Sequence, residues 1–309
     1  MKFSITIPTY KSKFLQEAIE SVVSQTYEDW ELIIVDDCSP ENIKSIVAPY
    51  LSDKRIQYYR NEGNCGAENV VDNWNICLSY CTGDYVICIG DDDRLLPNCL
   101  EELAKISTKF PGLNVYHLQT EIIDEKGQLK ETLKERPERE NAISMMLRRW
   151  HGQQQFIGDF CYKREHLIAC GGYFFLPYAW GSDDITAFRA AMEKGIANTQ
   201  TPGFQYRVNG YSISLSHYEE KKVDAVIKHE EWFCQVLQTI GEKEDYPHEE
   251  IKEAIKSMHA FMKQLKCYHI QNDMQHKGIM RYFFWCSKTS QHGLSIFILT
   301  KLLVKSIIM

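Results

Sequence analysis

Residues 85–97 read Tyr-Val-Ile-Cys-Ile-Gly-Asp-Asp-Asp-Arg-Leu-Leu-Pro, and few folds accommodate that order. Residues 85–89 are a short, β-branched apolar run bounded by Gly83 and Gly90. Without in/out alternation, such a run suits a strand buried on both faces, as in a parallel sheet. Asp91, Asp92 and Asp93 then arrive together. Adjacent carboxylates repel one another and fit neither a strand nor a core. A solvated loop would accept them with no function at all. Their position argues for more, because ligands of open α/β sheets bind just beyond the carboxyl ends of strands. Hard oxygen donors there suit Mg²⁺ or Mn²⁺, which share protein carboxylates with substrate phosphates. A metal–diphosphate site is the expectation.

The residues before this stretch repeat one pattern. Residues 3–8 form a first buried strand, closed by Pro8-Thr9-Tyr10, and Leu15, Ile19, Val22 and Val23 fall on one helix face. Residues 30–35 form a second apolar strand ending in Asp36-Asp37, after which Ser39-Pro40-Glu41 signals a helix start. Residues 56–59 make a third strand. Val70, Val71, Trp74, Cys77, Leu78 and Cys81 then trace a helical stripe into Thr82-Gly83, which reads as a C-cap glycine. Strand–helix repeated four times within about a hundred residues is the signature of a parallel, doubly wound sheet. Right-handed crossovers bring the strand ends to one edge. No Gly-x-Gly-x-x-Gly follows the first strand and no Walker lysine loop occurs, which argues against a dinucleotide dehydrogenase or a P-loop enzyme.

Beyond Pro111 the pattern loosens. Residues 115–123 read as a strand, 129–140 as an exposed charged connection, and 142–150 as a helix. Aromatic and glycine-rich residues 156–162 and 171–175 suit a pocket floor. Ser182-Asp183-Asp184 opens a helix, where carboxylates often serve only as dipole partners. Residues 223–240, those from 251 onward and 294–309 are helical. The last of these spans about 24 Å, short of a ~30 Å hydrocarbon core, and contains Lys301 and Lys305. It suits either a membrane surface or docking on the protein body or on a second copy. From Lys263 onward seven cations face a single anion, Asp273, whereas the whole chain carries −7. That balance makes no case for nucleic acid and hints at anionic lipid for the tail alone. The 11 scattered cysteines show no disulfide framework, and the first residues read as a strand, not a signal peptide, so a reducing cytoplasm is expected. Cys77 and Cys81 lack a second ligand pair and read as core.

Taken together, these residues resemble the family 2 glycosyltransferases. Ile-Pro-Thr-Tyr (7–10), Val-Asp-Asp-Cys-Ser (35–39), Asp91-Asp92-Asp93 with Pro97, and Ser182-Asp183-Asp184 with Arg189 match in order across about residues 1–215. The resemblance implies the α/β GT-A fold, a Rossmann-like, mainly parallel central sheet flanked by helices. Here residues 1–218 would form the catalytic domain (1–110 nucleotide-binding, 111–218 acceptor-binding) and 219–309 a helical appendage. It implies an inverting, metal-dependent transfer of one sugar from a nucleotide-diphosphate sugar, UDP-type favoured, to a glycan or lipid-linked hydroxyl. Surface polysaccharide synthesis on the inner face of the membrane is the expected setting, with residues 280–309 in membrane or homodimer contact. Pro8, Thr9 and Tyr10 would hold the base, Tyr10 by stacking, and Asp36 of the Asp36-Asp37 pair would accept its hydrogen bond. Asn69 would join them, and Asp91 would contact ribose. Asp92 would bind Mn²⁺ or Mg²⁺ between the phosphates, with Asp93 supporting it and His217 completing the metal shell. Arg207, in a lid with Tyr206 and Ser212-Ile213-Ser214, would neutralise phosphate. Asp183 would be the general base, with Asp184 the alternative.

Three departures stand out. Gly90 replaces an aspartate that many members carry, and Ser182 replaces the glutamate of the acid pair. The Gln-x-x-Arg-Trp motif of processive synthases is absent after the base, since Arg149-Trp150 precedes it, so single-sugar addition is expected. Other classes weighed are a sugar-nucleotide nucleotidyltransferase, which needs a glycine- and arginine-rich loop not found at residues 9–14, and a silent sugar-nucleotide-binding protein.

Overall fold

In the computed structural model, which describes residues 1–210, 218–242 and 246–308, aliphatic and β-branched runs buried on both faces form the heart of one sheet. They are β1 (Phe3–Thr9), β2 (Trp30–Asp36) and β4 (Tyr85–Cys88), with the less buried β3 (Ile56–Arg60) at the edge. They lie side by side as β3-β2-β1-β4, all parallel. Beyond β4 the order continues β9 (Phe160–Lys163), β6 (Val115–Ile123), β10 (Ile196–Arg207) and β5 (Arg94–Leu95). β9 is antiparallel to both β4 and β6, whereas β6 and β10 pair parallel. The sheet is therefore mixed and not mainly parallel: β3, β2, β1 and β4 run parallel, as expected, and β6 pairs parallel with β10, whereas β9 and the edge strand β5 are antiparallel to their neighbours.

Register sets the site. Thr9 pairs with Asp36, and Thr6 with Cys88, so the carboxyl ends of β1, β2 and β4 share one edge. The last pairing bond of β4 runs from Ile89 N to Thr6 O, 3.0 Å, and the aspartates follow at once.

Alternate residues of β2 feed two cores. Leu32 and Ile34 join Leu15 and Ile19 of α1 (Leu15–Val23) on one face. Ile33 and Val35 meet Val71, Trp74 and Cys77 of α3 (Val70–Tyr80) on the other. The expected helix start at Ser39-Pro40-Glu41 lies slightly early. The short α2 (Ile43–Val47) begins after Asn42, whose side chain accepts from Ser45 N at 3.3 Å. Gly83 is not a left-handed C-cap either. The Cα–Cβ bond of any other residue there would end 2.7 Å from Ser4 Oγ and 2.8 Å from Lys2 O, so close packing on β1 requires the glycine.

After α4 (Cys99–Lys109) and β6, the charged connection is less exposed than its composition predicts. It contains β7 (Leu129–Thr132) and β8 (Arg139–Glu140), and buries both Arg136 and Glu140. α5 (Ala142–Trp150), α6 (Arg164–Ala169) and α7 (Ser182–Ala191) complete this half. Residues 171–175 pack on α3, where Asn75 accepts from Tyr173 N at 2.8 Å.

The remaining helices are α8 (Glu219–Glu242), α9 (His248–Lys277), α10 (Met280–Ser287), α11 (Thr289–His292) and α12 (Ile296–Ile308). α8 and α9 enter the same apolar core as α5 and α7: the Phe233 ring meets Trp150 edge-on at 5.1 Å and Phe188 at 5.2 Å. The outer helices gather a smaller core of their own from Ile270, Met274, Trp285, Leu294, Leu299 and Leu302. Among the described residues, no helix is long and apolar enough to cross a membrane.

Candidate functional site

A cavity of about 760 Å³ opens at the carboxyl edge of the sheet. One wall is Pro8, Thr9, Tyr10 and Lys11 after β1 with Asp37 after β2, and another is Asn64, Gly66, Val70, Asn73 and Trp74 around the start of α3. Gly90 to Asp93 form the floor, while Phe156, Ile157, Tyr178, Ala179, Asp183 and Tyr206 face them.

The aspartate loop is tied down on both sides. Asp91 Oδ2 accepts from Tyr10 N and Lys11 N, each 2.8 Å, and from Thr9 Oγ1, 3.2 Å. Asp93 Oδ1 accepts from Arg207 N at 2.9 Å, and its Oδ2 from Gly90 N at 3.3 Å. Asp92 Oδ2 accepts from Asn209 Nδ2 at 2.6 Å. Gly90 makes this folding-back possible, because a Cβ at that position would lie 2.8 Å from Asp92 Oδ1 and 2.9 Å from Asp93 Oδ2. The missing family aspartate at position 90 thus has a steric cause. Burial, reinforced by the Asp92 charge, pushes Asp91 up to about 6 and holds Asp93 well above the ordinary carboxylate range. Three crowded carboxylates of this kind favour a cation.

A donor set of this sort fits Mn²⁺ or Mg²⁺ only as a shared site. Among the described residues, no three His, Cys, Asp or Glu side chains converge as a ready-made metal cluster. Mg²⁺-like ions need no such cage when phosphates and water supply the other ligands. His217 lies outside the described residues, as do Ser212, Ile213 and Ser214.

Arg207 requires a correction. It ends β10 fully buried, with Nε donating to Asp92 O at 2.7 Å and Nη2 to Glu17 at 2.6 Å, its guanidinium 4.4 Å above the Phe14 ring. It braces the aspartate loop from beneath and is not part of the cavity wall. The acidic pair after β2 also divides differently from expectation. Asp36 is fully buried, accepting from Ser39 N (2.8 Å), Tyr58 OH (2.8 Å) and Arg60 Nη1. Asp37 is the one on the cavity wall, where it accepts from Asn61 Nδ2 and Cys65 N, each 2.9 Å. Asn69 also lies off the wall, its amide donating to Cys65 O at 3.0 Å.

The first turn of α7 reaches the same cavity through Asp183. Gly181 precedes it with φ 92°, and any side chain there would run into the His229 ring of α8. Ser182 Oγ accepts from Leu176 N at 3.0 Å in a fully buried position, which leaves no room for the longer family glutamate. Asp183 is half-buried on the cavity wall. Asp184 points the other way, into a buried polar knot. Gln155 Nε2 donates to its Oδ1 at 2.7 Å, Arg149 Nε sits beside both oxygens, and His229 Nε2 lies 3.8 Å off. Burial and the Asp184 charge push Asp183 up to about 8, with the Arg149 guanidinium pulling against them. Burial holds His229 down at about 4, hence neutral.

Residues 156–162 and Tyr206 are expected near the pocket from the sequence, but the pairing of the Phe156 and Tyr206 rings and the turn at Tyr178 and Ala179 escape that reading. Phe156 and Tyr206 stack at 3.7 Å with planes 8° apart, forming an aromatic plate on the wall. Tyr178 and Ala179, with φ of 58° and 55°, make a strained left-handed turn beside Asp183. Only the aromatic richness near 156 pointed that way. Arg149 was visible solely as a motif out of place.

The family model for glycosyl transferase family 2 matches residues 4–179. The putative colanic acid biosynthesis glycosyl transferase WcaA of Escherichia coli is 37% identical over 134 residues, 41% of this chain and 47% of WcaA. The putative glycosyltransferase EpsE of Bacillus subtilis is 33% identical over 129 residues, 41% of this chain and 45% of EpsE. The chain thus spans less than half the length of these relatives. Among solved structures, residues 1–349 of Staphylococcus aureus TarS with UDP-GlcNAc superpose with a TM-score of 0.62 at 16% identity, covering 99% of this chain and 91% of that one. The mannosyltransferase PcManGT of Pyrobaculum calidifontis with GDP-Man and Mn²⁺ gives 0.55 at 15%, covering 99% and 86%. The fold shared with these neighbours, a mixed curled sheet with flanking helices, is the α/β GT-A fold.

Proposed function

The chain belongs to glycosyl transferase family 2, and from that premise we propose that it moves one sugar, with inversion, from a nucleotide-diphosphate sugar to a hydroxyl of a glycan or lipid-linked acceptor. UDP-type donors are favoured, and surface polysaccharide synthesis is the setting. The observation that carries this reading is a single cavity lined by both the aspartate loop and Asp183. A polysaccharide glycosyl transferase among the relatives, and neighbours with UDP-GlcNAc or GDP-Man and Mn²⁺, support it. Eleven free cysteines suit a reducing, cytoplasmic location.

In this reading the base lies against Tyr10 and hydrogen-bonds to Asp37, not Asp36. Asp91 holds the turn after β1 and faces the ribose with its second oxygen. Asp92 would hold Mn²⁺ or Mg²⁺ with Asp93 in support, and the ion, when bound, neutralises charge on the departing nucleoside diphosphate. Asp183 accepts the proton of the acceptor hydroxyl as its oxygen attacks C1 from the face opposite the diphosphate. One C–O bond forms while the C1–O bond to phosphate breaks, and its electron pair leaves with the diphosphate. A single displacement inverts the anomeric centre, the logic of inverting hydrolysis with a hydroxyl in place of water. The walls around Asp183 keep that carboxyl partly desolvated, so it is basic enough to take a proton.

Calorimetry with UDP, GDP and dTDP, each with and without Mn²⁺, is the test. Binding of one nucleotide in the micromolar range, and only with metal, is expected. Binding of none would favour a silent fold.

A further inference from the structure

The outer helices present an apolar face that nothing among the described residues covers. Ile296, Phe297, Val304 and Ile307 line one side of α12, and Met280 and Phe283 project from α10; Met280, Phe297 and Ile307 are 72%, 68% and 71% exposed. A hydrogen bond of 2.9 Å between Tyr282 OH and Thr300 Oγ1 joins the two helices along the edge of that face. Behind it Trp285, Leu299 and Leu302 are packed in the small core, so the exposed side chains stand on a fixed base. Six large apolar side chains exposed on two helices that pack together mark a candidate binding face.

Charge says what covers it. Lys277, Arg281 and Lys288 are neutralised by Asp273 and Glu220. Lys301 and Lys305 have no carboxylate partner among the described residues, and the Lys301 ammonium lies 4.2 Å from the Phe297 ring centre, within the apolar face. A second copy docked on this face in a two-fold dimer would bring a second Lys301 and Lys305 to the same patch, like charge against like. An anionic surface supplies the opposite charge. At ~1.5 Å per residue, the 13 residues of α12 span about 20 Å, so the helix would lie along a bilayer and not across it.

We propose that α10 and α12 form a docking face for a bilayer surface with anionic headgroups, apolar side chains entering the acyl boundary and Lys301 and Lys305 meeting the phosphates. This face does not depend on the glycosyl-transfer reading. The test is sedimentation of the full chain with vesicles of phosphatidylcholine alone or mixed 3:1 with phosphatidylglycerol. Because all four residues are exposed, the double variants Phe283→Ser/Phe297→Ser and Lys301→Glu/Lys305→Glu should keep the parental melting temperature and nucleotide affinity. The expected result is at least tenfold stronger partition onto the anionic vesicles, weakened about tenfold by either variant and by raised salt. Absence of binding to both vesicles, or equal binding by parent and variants, overturns the proposal. So does a dimer in equilibrium sedimentation that the phenylalanine variant dissociates, which would assign the face to a second copy.

Discussion

Arg149 Nε sits 3.0 Å from Asp184 Oδ1 and 3.2 Å from Oδ2, so the second carboxylate of the α7 start is already engaged. Successive residues on a helix point about 100° apart. Asp183 and Asp184 therefore cannot both face the cavity, and the half-buried Arg149 guanidinium sits beside Asp184. This pair makes one carboxylate structural and leaves its neighbour for chemistry.

Asp183→Asn should bind donor as the parent does and lose about 10²–10⁴-fold in turnover, the usual contribution of a positioned base. Asp184→Asn should act mainly on folding. It leaves the half-buried Arg149 charge beside a neutral amide, and breaking a fully buried pair costs roughly 3–5 kcal/mol, so a loss at or below the lower end is expected. Thermal melts beside turnover assays separate the two. If Asp183→Asn turns over normally, the base lies elsewhere.

The raised pKa of Asp183 has two consequences with pH. The base must be ionised to work, so turnover should climb as pH rises through about 8. Stability should move oppositely. The folded carboxyl holds its proton up to about 8, whereas an unfolded aspartate releases it near ~3.9, so the folded state binds more protons between those values. Its contribution to stability is fully present below the unfolded pKa and is lost as pH rises through the folded one. Asp183→Asn, with nothing to ionise, should melt above the parent at pH 9. A lower melting temperature there would refute the desolvated-carboxylate account.

Much of this was legible in the sequence, for physical reasons. Apolar, β-branched runs specified β1, β2 and β4, and the strand-end rule located the aspartate loop, since both signals are local. What failed depended on partners distant in the chain. Asp36 and Asp37 are indistinguishable until the β2–β3 register sets Arg60 opposite Asp36 and removes that carboxylate from the crevice. Arg207 looked like a phosphate ligand because nothing in sequence shows its guanidinium beneath Asp92, more than a hundred residues back. Gly83 looked like a helix cap because its real constraint, contact with Ser4 and Lys2 on β1, leaves no sequence mark.

Arg207 gives a prediction of its own. Arg207→Met removes the side-chain bonds to Asp92 O, Glu125 O and Glu17 while altering no side chain that lines the cavity. Donor affinity with Mn²⁺ should fall about tenfold as the loop loosens, alongside a stability loss of about 1–3 kcal/mol from the orphaned carbonyls of Asp92 and Glu125 and the lost packing on Phe14. Asp92→Ala should instead abolish the metal dependence of binding with little change in melting temperature. Calorimetry with and without metal distinguishes a brace from a ligand, and a metal-independent parent would contradict both.

Restoring the family aspartate at position 90 should harm the protein. At 2.8 and 2.9 Å from the Asp92 and Asp93 oxygens, the new Cβ has no room unless those carboxylates swing away. Neither moves freely, since Asn209 holds Asp92, and Arg207 N holds Asp93. Gly90→Ala isolates the steric effect, and Gly90→Asp adds a fourth charge to a cluster in which burial and mutual repulsion already raise Asp91 and Asp93. Metal-dependent donor affinity should drop about tenfold in the alanine variant, the ~1.4 kcal/mol of a modest overpacking strain, and further in the aspartate variant. Excess Mn²⁺ should recover part of the second loss, because a cation screens the added charge, but none of the first. Equal affinity in parent and alanine variant would mean that the loop refolds easily around position 90, and the steric reason for glycine there would fall.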